Sequence, residues 1–180
     1  MNIKDRIIKW VRREANKKKL WEYLKYTPFL TVIIMRGIPG SGKTTITENI
    51  MKLYYYIARV HSTDDYFVGE DGKYKFNADT LMTNHRNNYN SFCKSLNEGI
   101  PIVIVDNTNI RHKWYREYAE KANEMGYQVI EVLIDPDYCT IDKMHKRNKH
   151  NVPKKIVENM YNALKNNMKA IEGCQKQFII

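Results

Sequence analysis

The chain has 180 residues, 43% of them apolar and 28% charged, which fits one folded domain with or without an appendage and excludes a disordered, collagen-like or fibrous chain. Thirty Lys and Arg against twenty Asp and Glu leave +10, a balance that favours phosphate-rich partners. No apolar run approaches the roughly 18 residues of a membrane span, and Cys93, Cys139 and Cys174 form neither a Cys-x-x-Cys pair nor zinc-ligand spacing with His.

The charge is unevenly placed. Residues 1–28 hold nine basic side chains against three acidic ones, a net +6, and the remaining 152 residues hold only +4. Ile3, Ile7, Trp10 and Val11, then Leu20, Trp21 and Leu24, recur at helical spacing, which predicts one or two amphipathic basic helices in this stretch. Such a helix packs its stripe on the domain, or serves as a nucleic-acid arm, or lies on an anionic membrane surface. The N-terminus lacks the apolar core and small-residue cleavage site of a secretory signal, so an intracellular, cytoplasmic location is expected.

Beyond this stretch, strand and helix patterns alternate. Residues 30–35 read as an apolar strand, 43–56 as a helix, 58–62 as a short strand and 79–97 as a helix closed by Gly99. Residues 102–105 read as another strand, 114–125 as a helix closed by Gly126, and 128–134 as a strand stopped by Asp135-Pro136. Two helices, 138–148 and 153–171, end the pattern, and residues 68–76 are a polar, Gly-containing loop. Alternation of this kind predicts an α/β fold whose parallel sheet carries helices on both faces, with ligands bound beyond the carboxyl ends of the strands.

Gly37-Ile38-Pro39-Gly40-Ser41-Gly42-Lys43-Thr44 matches G-x-x-x-x-G-K-[ST] between an apolar strand and a helix. The glycines let backbone N–H groups wrap a phosphate, and the helix N-terminus adds partial positive charge. Residues 37–45, including Thr45, are therefore candidates for holding ATP. Lys43 supplies charge for the β and γ phosphates, and the Thr44 hydroxyl is a ligand for Mg2+. Asp106, which follows the strand 102–105 in Asp106-Asn107-Thr108-Asn109, has the placement of a second magnesium-holding acid. The His61-Ser62-Thr63-Asp64-Asp65-Tyr66 segment brings further acids to a strand end, and Asp64 is the candidate base for an acceptor hydroxyl, with a turn cap as its structural alternative. Lys143, Lys146, Arg147, Lys149 and His150 form a late basic segment able to bring cations onto a transferring phosphoryl group. His145 and His150 read as surface histidines.

Four motifs in order, residues 37–44 (GIPGSGKT), 62–66 (STDDY), 105–109 (VDNTN) and 146–153 (KRNKHNVP), resemble the phage polynucleotide 5′-kinase domain, and more closely the P-loop kinases of the Nedd-binding-protein type. The resemblance spans about residues 29–171. It implies a P-loop NTPase-type domain over residues 29–180 behind a basic helical extension over residues 1–28. It also implies ATP and Mg2+ as cofactors, Asp64 as the base toward a 5′-hydroxyl of RNA or DNA, Arg147 as a lid arginine closing over the nucleotide phosphates, and Asp106 in the metal site. Phe67 stands where the phage pattern has an arginine near the acceptor phosphate. The chain holds no stretch for the phosphatase that follows the phage kinase, and a single His-x-Thr, from His61 to Thr63, where a cyclic phosphodiesterase needs two. Kinase action on a small-molecule hydroxyl and a regulatory nucleotide-binding module remain the alternatives.

Overall fold

The structure, a computed structural model, describes residues 3–27 and 30–180. The side chain of Ile3, part of the expected stripe, and the expected domain boundary at residues 28 and 29 lie outside the described residues. The helices are α1 (Ile3–Lys25), α2 (Lys43–Leu53), α3 (Leu81–Asn97), α4 (Arg116–Glu124), α5 (Ile141–Arg147) and α6 (Lys154–Lys165); the strands are β1 (Thr31–Arg36), β2 (Ala58–His61), β3 (Ile102–Val105), β4 (Gln128–Leu133) and β5 (Lys176–Ile179). All five strands are parallel, in the order β2-β3-β1-β4-β5.

The strand alternation decides which helix lies where, because successive side chains point to opposite faces. Ile33 and Met35 of β1, with Ile102, Ile104, Ile130 and Val132 of its neighbours, pack with Leu20 and Leu24 of α1 and Ile46 and Ile50 of α2. The intervening Val32, Ile34, Val103, Val105 and Val129 pack with Phe92 and Leu96 of α3 and Tyr118, Ala119 and Ala122 of α4. The sheet is thus covered on both faces, as the near-continuous apolar strands require. A third cluster gathers Ile38, Ile110 and Leu133 with Met144 of α5 and Val157 and Leu164 of α6.

Several expected elements end early. The first helix is single and continuous, and its apolar stripe is buried toward the C-terminal end: Leu20 and Leu24 are fully buried, whereas Ile7, Trp10 and Val11 are exposed. Among the described residues the stripe therefore packs at that end. The helix expected over 43–56 stops at Leu53, and the one expected over 79–97 starts at Leu81. A short 3-10 turn, His112–Trp114, replaces the start of the helix expected at 114. Another, Pro136–Tyr138, precedes α5, which begins only at Ile141, where Thr140 accepts a bond from Lys143 N.

The largest departure is at the last helix, expected to run to residue 171 and found to end at Lys165. Its cause is a buried charge. Arg36 at the end of β1 and Glu131 in β4 are both fully buried and meet at 2.9 Å. A buried pair is tolerable only when its remaining donors and acceptors are satisfied, and the chain after α6 leaves the helix to supply them. The Arg36 guanidinium donates to the carbonyls of Asn167 and Lys169, and Glu131 accepts from Ile171 N–H and the Tyr115 hydroxyl. β5, which sequence patterning did not predict, follows this segment; of its four residues only Phe178 is buried, too little for a periodic signal.

His61, the last residue of β2, is 5% exposed and shares a hydrogen bond with Ser95 Oγ at 2.9 Å. Burial first, and the Arg59 charge second, push its pKa from 6.5 down to about 4. The unfolded chain therefore binds this proton between pH 6.5 and pH 4 and the folded chain does not. This contribution is complete above pH 6.5 and falls as pH drops toward 4, by about 3 kcal/mol. Equilibrium unfolding at pH 7 and pH 4 is expected to show that much more acid destabilisation in the wild type than in His61→Gln; an equal loss in both proteins would assign the acid sensitivity elsewhere.

Candidate active site

The phosphate loop joins β1 to α2 and is held from three sides. Ile38 is fully buried in the third cluster, so its side chain anchors the loop and leaves its backbone as the part that can face a ligand. Gly37 N–H donates to Thr108 O (3.0 Å), and Ser41 N–H donates to Ile38 O (3.1 Å). Gly40 and Gly42 adopt φ of 73° and 96°, the left-handed region that glycine enters without penalty. Gly40 has a second constraint: a Cβ there would lie 1.9 Å from the Met144 carbonyl of α5, so the loop and α5 touch backbone to backbone. Pro39 and Lys43 are partly buried, and Thr44 and Thr45 are exposed on the first turn of α2. Ser41 Oγ is buried without a hydrogen-bond partner.

The acids arrive from the neighbouring strands. Asp106 leaves β3, hydrogen-bonded through its N–H to His61 O of β2 at 2.9 Å. Burial raises the pKa of its carboxyl, and the positive charge of Lys43 opposes that rise. Asp64 and Asp65 lie in a 3-10 turn, Thr63–Phe67, after β2. Ser62 Oγ, not an aspartate, caps that turn by accepting from Asp64 N–H, which leaves the Asp64 carboxylate free of the expected alternative role. Asp65 is raised by burial and by the charges of Asp64 and Asp106, so the three carboxylates form one electrostatic group.

The Asp106-Asn107-Thr108-Asn109 motif does more than position one acid. Asn107 Oδ1 accepts from Thr63 N–H (2.9 Å), fixing the Asp64 turn, while Thr108 O receives Gly37 N–H. Asn109, buried and at φ 44°, donates to Met35 O (2.8 Å) and ties the ends of β1 and β3. Sequence reasoning singled out only Asp106; the Asn side chains were detectable as polar residues directly after a buried strand, where turn chemistry masked them.

Arg147 ends α5, where Nη1 donates to the Tyr138 hydroxyl (3.2 Å), and that hydroxyl donates to Ser41 O of the phosphate loop (2.8 Å). A cavity of about 520 Å³ opens here, lined by Gly42, Thr45, Tyr138 and Arg147 among others. Three residues further on, His150 is not the isolated surface histidine expected. Its Nε2 lies 3.6 Å from Asp64 Oδ2, and its ring lies 4.0 Å from that of Tyr74. Tyr74 donates its hydroxyl to Asp64 Oδ1 (3.3 Å), and burial together with Asp64 pushes its pKa up to about 12. The segment from Arg147 to His150 thus reaches both the phosphate loop and the Asp64 turn. Phe67 is buried against Tyr74 and Phe76 and presents nothing to an acceptor.

The oxygen-only set of Thr44 and Asp106 suits a hard divalent cation, and the clustered carboxylates opposite Lys43 suit a site completed by added positive charge. Among the described residues no three His, Cys, Asp or Glu side chains form a metal-holding group. Mg2+ bound partly by phosphate oxygens and water needs only one or two protein carboxylates.

Residues 32–171 match the profile of a family described as AAA domain. The chain belongs to this family. The AAA domain spans the phosphate loop, all three acids and the Arg147 segment, and its fold is of the P-loop kinase type. The rat YLP motif-containing protein 1 is 31% identical over 144 residues, covering 67% of this chain and 10% of the relative. Human NEDD4-binding protein 2 is 29% identical over 134 residues, covering 73% and 7%. The chain therefore spans a tenth or less of these relatives' length. Among solved structures, the Pnkp1/Rnl/Hen1 RNA repair complex aligns with TM-score 0.64 at 15% identity, over 82% of this chain and 48% of the other. The PezAT toxin-antitoxin system of Streptococcus pneumoniae aligns at 0.58 and 18%, over 92% and 77%. These likenesses show the fold. Among the described residues no helix is long and apolar enough to cross a membrane.

Proposed function

We propose that the domain is an ATP- and magnesium-dependent polynucleotide 5′-hydroxyl kinase. The observation that carries this reading is the convergence of the phosphate loop after β1, Asp106 after β3 and Asp64 after β2, on three adjacent parallel strands at one edge of the sheet. A loop for the donor phosphates and a carboxylate one strand beyond the metal-side acid are the two halves of phosphoryl transfer to an alcohol.

In this reading the phosphates of ATP lie in the loop of residues 37–45, on those of its backbone N–H groups not already bonded within the protein, and Thr44 and Asp106 would hold Mg2+. When bound, that ion neutralises charge on the β and γ phosphates. Asp64 accepts the proton of the 5′-hydroxyl as its oxygen forms a bond to the γ phosphorus, while the bond from that phosphorus to the β–γ bridging oxygen breaks and ADP departs. Lys43 stabilises the charge growing on the leaving side, and Arg147 closes over the transferring group from α5. The alignment with an RNA repair complex supports the polynucleotide acceptor, as does the resemblance of residues 37–44, 62–66, 105–109 and 146–153 to the polynucleotide 5′-kinase pattern.

One observation favours a second reading, a small-molecule hydroxyl as acceptor: buried Phe67 replaces an arginine expected near an acceptor phosphate. A panel of acceptors offered with γ-labelled ATP separates the two. The proposal predicts label in 5′-OH oligonucleotides and little in nucleosides or sugars; label confined to the small molecules would overturn it.

A further inference from the structure

The in-line geometry of phosphoryl transfer places donor and acceptor on opposite sides of the γ phosphate. Here the acceptor acids lie on the β3 and β2 side of the phosphate loop. The nucleoside end of the donor must then leave toward β4 and β5, which is where the cavity beside Gly42 opens. Its volume of about 520 Å³ lies within the roughly 300–1,000 Å³ of small-molecule sites. Its far wall is α1, through Arg13, Glu14, Lys17 and Trp21, and its floor includes Asn49 of α2.

This wall is tied to the site. The Arg13 guanidinium lies 3.9 Å from the centre of the Tyr138 ring, whose hydroxyl bonds both the phosphate loop and Arg147. Arg13 Nε is buried with no hydrogen-bond partner. Asn16 of the same helix donates to Ile179 O of β5 (2.9 Å), and Leu20 and Leu24 seat the helix in the core. Several of its charges are already paired: Lys17 with Glu14 at 2.8 Å, Lys25 with Glu22 at 3.0 Å, Lys9 with Asp137 at 3.9 Å. A free basic arm would keep such charges for phosphates, whereas a pocket wall orders them.

We propose that α1 is the wall of the donor's nucleoside pocket, with Trp21 as the stacking face for the base of a nucleoside triphosphate and the Glu14 carboxylate and Asn49 amide at the base edge. This rests on the reading of residues 37–45 as the triphosphate site. It gives the N-terminal helix a role in donor selection rather than in polynucleotide capture.

Trp10→Phe/Trp114→Phe leaves Trp21 as the sole remaining tryptophan of three, and both replaced side chains are exposed. ATP is expected to quench the emission of this protein, and inorganic tripolyphosphate, which fills the phosphate loop alone, to compete with ATP without quenching. In Trp21→Leu, ATP affinity is expected to fall about 5- to 150-fold, the range produced by a lost base–aromatic stack, with tripolyphosphate affinity unchanged. If Trp21→Leu fails to fold, the fluorescence experiment decides alone. ATP bound calorimetrically with Trp21 emission unmoved overturns the wall and leaves the phosphate site standing. Absence of ATP binding to the wild type overturns the triphosphate reading and the wall with it.

Discussion

Lys43→Ala is expected to lower phosphoryl transfer at least about 10²-fold while the protein remains folded. Lys43 opens α2, is partly buried, and its charge acts on the Asp106 carboxyl. Removing one preorganised group aimed at developing charge costs about 10²–10³ in rate in a water-poor site, and a lysine carries a full charge. The fold has little reason to respond, since the helix is seated through Ile46 and Ile50, and residue 43 is absent from the apolar clusters. Steady-state turnover with a thermal melt tests both halves. Near-normal turnover in a folded Lys43→Ala protein would remove the kinase reading, because that reading makes Lys43 the charge on the β and γ phosphates.

Asp64→Asn is expected to lower turnover by about 10²–10⁴, the range of a lost general base, with ATP affinity nearly unchanged. The amide is isosteric, so the hydrogen bond from Tyr74 to the side-chain oxygen and the Ser62 cap on the backbone both persist. Only the ability to accept a proton is lost. Asp64 lies one strand beyond Asp106, outside the phosphate loop, so the effect belongs in kcat and not in the donor's dissociation constant. Unchanged turnover would reassign the carboxylate to orienting His150 and Tyr74. Loss of ATP affinity with turnover preserved at saturation would move it to the donor side.

The sequence made the inner part of this architecture legible because its strands are apolar on both faces and its helices carry Gly at their ends. The strand 102–105 lies where its uninterrupted apolar run put it, and Gly99 and Gly126 follow α3 and α4 at positive φ. Elements whose fate depends on distant partners were not legible. The helix after Pro153 has apolar spacing that continues to residue 171, and the buried demand of Arg36 and Glu131 draws the chain out of the helix after Lys165. β5 is bound by pairing to β4, not by a pattern of its own. In the site, residues that touch phosphate carry a spacing rule, which made residues 37–44 readable. His150, Tyr74 and Asn107 act by reaching across loops to Asp64 and Thr63, and no local spacing announces such contacts. The half-exposed stripe of α1 belongs to the same class: Leu20 and Leu24 are core, Ile7 and Trp10 are not, and their periodicity is identical.

In the proposed reaction a donor on the phosphate loop passes its γ-phosphoryl group to a 5′-hydroxyl beside Asp64. A single turnover of γ-labelled ATP by the wild-type protein tests it most directly, using one oligonucleotide prepared with a 5′-hydroxyl and again with a 5′-phosphate. Label is expected at the 5′ terminus of the first strand and none in the second. Bound ATP with no label in either strand, or equal label in both, would contradict it.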